Sequence, residues 1–329
     1  MNPKMRWKIS TITALLLALL AWSPACRAAS CTTQAALSAR DLDALSAAGG
    51  SMALAAAQQD YTALKAALLP AVASDWENIR GAVEQSASLL KNGQIQLRNL
   101  YLLDASSLNA PADTQFFCSN ASGSLTVTIN MRALPPGRYA VVLAESLGSI
   151  YDGQLGFILA WDGSAWKLGG LSIRPGALEG HDGVWYWTHA RSLGHSDDPW
   201  SAWYSYEAAH ALLLPVDFLS SPNLEKLIQE QSQIRNAPIF PYSLPDGERT
   251  WQIDALQFDP TLLHADLGVV YESVGVTDPA AQRTEAIAVL SALLKAQPGL
   301  RENFYGLWAY SVRDGKRTPV MELPMAKIP

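Results

Sequence analysis

An α+β fold is expected from three features of the sequence. Residues 33–91 are rich in alanine and space their apolar side chains for helices. From about residue 126 to 173 the apolar period switches to two, the period of half-buried strands. The chain then returns to helix and finishes as strand, strand, helix, strand, strand. The expected arrangement is a curved antiparallel sheet with N-terminal helices over residues 29–176, a helical hairpin region over 177–236, and a ββαββ unit over 237–329.

The elements follow from local chemistry. Asp60 is placed to cap a helix starting at Tyr61, which Pro70 interrupts or ends. Trp76, Ile79, Val83 and Leu90 share one helical face, which Asn92 and Gly93 end. Val127, Ile129 and Met131 alternate with Thr126, Thr128 and Asn130, and Pro135-Pro136-Gly137 forms a turn. Tyr139, Val141 and Leu143 then alternate again. Asp162-Gly163 between two apolar runs is a hairpin signal, so these strands are expected to form one antiparallel meander. Asp198-Pro199 and Ser221-Pro222 each set a capping side chain before a first-turn proline. Between them they start helices over 199–214 and 223–235. Residues 236–250 hold three prolines and Asp246-Gly247, and read as a loop or linker. The final strands span 250–258, 267–276, 304–312 and 319–323, around a helix over 279–296 that Asp278 caps.

The first residues read as an export signal. Lys4, Arg6 and Lys8 precede an apolar run of about a dozen residues, too short to span a bilayer, and then small residues around Ala28. Cleavage after Ala28 is expected, for a periplasmic or secreted product. The alternative, a lipid anchor on Cys26, has Ser23 where lipid-attachment patterns carry an aliphatic residue. Removing residues 1–28 removes four basic residues and no acid, taking the net charge from −6 to −10. Such a chain repels phosphate backbones, which argues against nucleic acid as a partner. No later stretch is apolar for long enough to be a membrane span. Cleavage leaves Cys31 and Cys118, an even count that in an oxidising compartment reads as one disulfide; two free thiols are the alternative.

Two stretches carry resemblances. The run Leu134-Pro-Pro-Gly-Arg-Tyr-Ala-Val-Val-Leu143 and the hairpin Trp161-Asp-Gly-Ser-Ala-Trp-Lys-Leu-Gly-Gly-Leu171 resemble the cystatin-like, NTF2-like fold of exported bacterial proteins, over residues 35–175. That superfamily includes enzymes and binding domains, so the resemblance implies a fold and no activity. Tyr186, Ala190, Ala202, Tyr206 and Ala209 fall where a tetratricopeptide-type repeat wants its aromatic and small residues. There is one copy, which suggests a helical hairpin docked on the sheet domain. The whole resembles an uncharacterised exported bacterial family.

Candidate chemistry concentrates in residues 181–210, which hold four of the five histidines. His181, Asp182 and His189 are the candidate catalytic residues, and catalysis requires them to converge in one cleft. His195, Glu207 and His210 are the residues a metal would recruit, but their spacing matches no compact motif and no metal or other cofactor is expected. Trp185, Trp187, Trp200, Trp203 and Tyr204 could line a groove for a glycan, peptide or protein; the competing account puts most of them in a core. Two serine motifs, Ala144-Glu-Ser-Leu-Gly148 and Tyr271-Glu-Ser-Val-Gly275, echo a nucleophile elbow imperfectly. No phosphate-binding glycine loop or Cys-x-x-Cys occurs. The sequence therefore points to a non-catalytic ligand- or partner-binding exported protein. Its rival is a hydrolase using the histidines and acids of 181–210, with or without a metal.

Overall fold

The structure is a computed structural model that describes residues 29–120, 122–123, 125–196 and 198–329. The expected leader and Cys26 lie outside the described residues.

The first half is built in three layers. Strand β1 (Ser30–Thr33) leads into helices α1 (Ala39–Ala57), α2 (Tyr61–Ala67), α3 (Trp76–Gln85) and α4 (Ala87–Leu90). Asp60 caps α2, accepting a hydrogen bond from the Ala63 amide. Strands β2 (Gln94–Asp104), β3 (Ala112–Ser119), β4 (Thr126–Leu134), β5 (Arg138–Leu147), β6 (Gly153–Trp161) and β7 (Trp166–Pro175) come next. They do not form one meander. The main sheet has the order β1-β2-β5-β6-β7, whereas β3 and β4 pair with each other in a second sheet. Alternate residues of β5 explain the split. Ala140, Val142 and Ala144 face the helices, with Leu155, Phe157 and Leu159 of β6. Val141 and Leu143 face the β3–β4 layer, with Phe116, Val127 and Ile129. A sheet covered on both faces carries nearly continuous apolar runs, which is why β5, expected to alternate as a half-buried strand, is apolar on both faces. A disulfide joins Cys31 of β1 to Cys118 of β3, tying the two sheets together. Closing a loop of 87 residues stabilises by about 4–5 kcal/mol in the chain-entropy model.

A tight β8–β9 pair (Ala177–Leu178 and His181–Asp182) opens the second half. Helices α5 (Gly183–His195) and α6 (Pro199–Leu213) form an antiparallel pair, and β10 (Leu219–Ser220) returns to pair with β4. Helix α7 (Pro222–Ser232) then leads to strands β11 (Tyr242–Asp246), β12 (Arg249–Asp259) and β13 (Asp266–Glu272). Helices α8 (Pro279–Ala296) and α9 (Gly299–Asn303) and strands β14 (Gly306–Arg313) and β15 (Lys316–Pro324) complete the chain. The C-terminal sheet runs β11-β12-β13-β14-β15, antiparallel except for β13–β14, which α8 connects as a parallel crossover.

Two expectations change here. Residues 236–250 contain strand β11, not loop alone; its Pro245 is tolerated because β11 is an edge strand. The helical pair touches the first sheet, where Gln154 donates to Leu212 O and Leu213 packs, but shares its main core with the C-terminal sheet. Tyr186, Ala190, Trp200, Tyr204 and Leu212 pack with Trp251, Ile253, Leu267, Leu293 and Leu307. No helix among the described residues is long and apolar enough to cross a membrane.

Candidate functional site

The turn between β8 and β9 places Glu179 and Gly180 at φ of 51° and 77°. A non-glycine residue in this region is uncommon, and here it directs Glu179 outward beside His181. Asp182 then caps α5, accepting from the Trp185 amide at 2.8 Å. Gly183 lets the helix start against α6, because a Cβ there would lie 2.6 Å from Leu213 Cγ. One and two turns on from His181, Trp185 and His189 point the same way.

These three side chains form a stack. The His181 ring lies 3.6 Å from Trp185, nearly parallel, and Trp185 lies 4.7 Å from His189. Tyr186 meets both His181 and Trp185 edge-on from the buried side. Burial holds the Tyr186 phenol far above its ordinary pKa, and the Glu179 charge adds to this. Stacking contributes roughly 0.5–1.5 kcal/mol per aromatic pair, enough to hold in place an indole that remains 39% exposed.

The facing wall comes from α9 and the two residues that link it to β14. Asn303 Nδ2 donates to Gly299 O at 2.8 Å, which fixes the amide and makes Oδ1 the acceptor. His189 Nε2 lies 2.6 Å from that Oδ1, so Nε2 donates to it. His264 Nδ1 lies 2.7 Å from Glu179 Oε1 and its ring stacks on Tyr305 at 3.8 Å. The space enclosed by Glu179, His181, Trp185, His189, Glu302, Asn303 and Tyr305 is about 430 Å³. Among the described residues no lysine or arginine lines it.

Three other grooves are larger, and the one of about 530 Å³ beside α2 and α3 is lined by Lys65 and Arg80. The groove of about 500 Å³ between the first sheet and α5 contains Arg98 already paired with Glu145. The one of about 620 Å³ beside α7 contains Arg191 already forked onto Glu230. Arg98 and Arg191 are thus held by carboxylates, whereas the imidazole cleft has no lysine or arginine among its described lining residues.

The sequence candidates divide sharply. His181 and His189 line one cleft, but through Trp185; neither hydrogen-bonds the other, and Asp182 is occupied in capping. Of the aromatic candidates, Trp185 faces the cleft. Trp200 and Tyr204 are core, Trp200 against Phe240 and Tyr242, and Tyr204 donating to Leu256 O. Trp187 and Trp203 are half-buried, and Trp187 Nε1 donates to Glu230. The metal candidates are dispersed: His195 bonds the Arg191 carbonyl, and Glu207 accepts from Gln231. His210 lies half-buried in the last turn of α6. Among the described residues no group of three or more metal-ligating side chains comes together. Ser146 is buried and bonded to Leu90 O and Ser149, and Ser273 donates to Glu285; neither sits on a nucleophile elbow.

Sequence reasoning missed His264, Glu302, Asn303 and Tyr305, all more than 80 residues from His181 along the chain. The single available signal was His264 itself, the one histidine outside 181–210. Comparison with protein-family models, with curated proteins and with solved structures finds no match for this chain.

Proposed function

We propose that this chain is an exported binding protein whose cleft between α5 and α9 takes a neutral, hydroxyl-rich ring such as a sugar unit of a glycan. The observation that carries this reading is the exposed Trp185, held in a stack with His181 and His189 and facing Asn303, Glu302 and Tyr305 without any lysine or arginine among the described lining residues. An exposed aromatic edge offers apolar contact to a ring. Amide, carboxylate and imidazole groups around it offer donors and acceptors for hydroxyls. A lining without lysine or arginine disfavours phosphate or carboxylate ligands, and the net negative charge disfavours nucleic acid. The leader pattern and the Cys31–Cys118 disulfide support an oxidising compartment.

The test is titration of the protein with soluble neutral oligosaccharides (cello-, chito- and malto-series), followed by tryptophan fluorescence and calorimetry. One series is expected to bind, with affinity falling at least tenfold in Trp185→Ala while the circular dichroism stays unchanged. Binding that survives Trp185→Ala, or no binding by any series, sinks this reading.

A hydrolase remains the second reading, and one contact favours it. Glu179 orients His264 at the edge of the cleft, leaving Nε2 as a positioned base. Turnover of a bound oligosaccharide that His264→Ala abolishes, with binding intact, would select it.

A further inference from the structure

Beside the cleft, one end of the C-terminal sheet gathers buried acids. Asp266 opens β13, opposite Asp259 of β12 and Gly306 of β14. Glu322 of β15 lies opposite Trp308 of β14, two residues beyond Gly306 and on the same face. Asp259 is satisfied: it accepts from Tyr310 Oη at 2.8 Å and from the Thr261 amide and hydroxyl. Asp266 is not. It is 0% exposed, and neither of its oxygens has a hydrogen-bond partner among the described residues. Glu322 Oε1 and Trp308 Nε1 are likewise buried and unpartnered. The Trp308 indole lies beside Asp266 but falls short of hydrogen-bonding geometry. The two carboxyls crowd one point: a Cβ on Gly306 would sit 2.8 Å from Asp266 Oδ1 and 2.9 Å from Glu322 Oε1.

An ionised Asp266 has no bond to offset its lost hydration, and an ionised Glu322, with Oε1 buried beside it, repels it. One proton relieves both. The geometry points to a buried site for a single proton, held on Asp266 beside Glu322, that clamps this end of the sheet when filled and loosens it when emptied. The groups that face it are Asp259 from β12, His264 from the preceding turn, Trp308 from β14 and Glu322 from β15. Burial raises the Asp266 carboxyl first and the Glu322 charge second. Asp259 adds to this, His264 and Trp308 oppose it, and Asp266 is pushed up to about 6. The strand ends concerned hold the cleft rim. The Tyr305 amide donates to Ala265 O at 2.9 Å, and the Met325 amide donates to Tyr305 O at 2.8 Å.

Because the folded value is raised above 3.8, the stabilisation is complete below that pH and is lost as pH rises through about 6. Carboxyl ¹³C titration of the labelled protein tests this directly. An Asp266 midpoint near 6 is expected, moving down in Glu322→Gln. A midpoint at or below 4, the result a bound cation or a made Trp308 bond would give, overturns the proposal, as does a midpoint that Glu322→Gln leaves unchanged. Asp266→Asn should gain several degrees in Tm on the wild type between pH 5 and pH 7.5; a constant difference also overturns it. Amide exchange at Tyr305 and Met325, corrected for intrinsic rates, should lose protection over the same range in the wild type alone. Equal loss in Asp266→Asn removes the coupling to the rim. None of these readouts depends on the cleft binding a glycan.

Discussion

Helices α5 and α6 are neighbours of similar length, and both are rich in aromatic residues, yet they use them in opposite ways. Helix α6 lies between α5, α7, α9 and strand β12 and buries nine of its residues, Trp200, Tyr204 and Tyr206 among them. Helix α5 buries Gly183, Tyr186 and Ala190 and turns Trp185 toward solvent. Layer position, not composition, therefore decides whether an aromatic residue becomes core or contact surface. An inner helix has neighbours on every side and an outer helix has one free face.

Truncating one tryptophan from each helix puts this contrast under the greatest strain. Trp200→Ala should cost about 3–5 kcal/mol in urea unfolding, because it opens a cavity against Phe240 and Tyr242. Trp185→Ala should cost clearly less, about 1–2 kcal/mol for the ring contacts it loses, with its main loss seen in ligand binding. Equal costs would mean that Trp185 is core after all.

Between these extremes lies the polar seam joining α5, α6 and α7. Glu230 accepts from Arg191 at 2.7 and 2.9 Å, from Trp187 Nε1 at 2.8 Å and from Tyr206 Oη at 3.4 Å. Glu230→Gln should cost about 1.5–3 kcal/mol, the range for hydrogen bonds to a charged group. Arg191 beside it holds the Glu230 carboxyl below its ordinary 4.5. Its contribution is therefore full above 4.5 and disappears as pH falls through the lowered value, the opposite sign to Asp266. Acid titration of Tm in wild type and Glu230→Gln should show the two curves converging at low pH. Tyr204→Phe, which leaves the buried Leu256 carbonyl without its donor at 3.1 Å, should cost about 1 kcal/mol by the same unfolding measurement.

Local features were the legible ones. Asp60, Asp198, Ser221 and Asp278 each cap a helix through the amide three residues on, as the cap-and-proline patterns predict. The Asp162-Gly163 turn joins β6 to β7, with Asp162 accepting from the Ser164 and Ala165 amides. Each signal lies within a few residues of its effect. The departure of β4 into a second sheet was not legible, because Val127, Ile129 and Met131 show the same alternation in either sheet. Nor was β2, whose two faces are both covered. Of the site, His181, Trp185 and His189 could be found because they share one helical face. Glu179 stands in no motif, and its partner His264 lies 85 residues away.

The mixed class, the helix starts, the tight turns and the two cysteines left to pair are all written into the chain, since each depends on neighbouring residues or on counting. Packing alone made Trp200 core and Trp185 surface, set Asn303 and Tyr305 opposite the histidines, and buried Asp266 against Glu322. Those outcomes rest on which layers cover which faces. Burial and charge proximity are properties of the folded chain, and no single stretch of residues carries them.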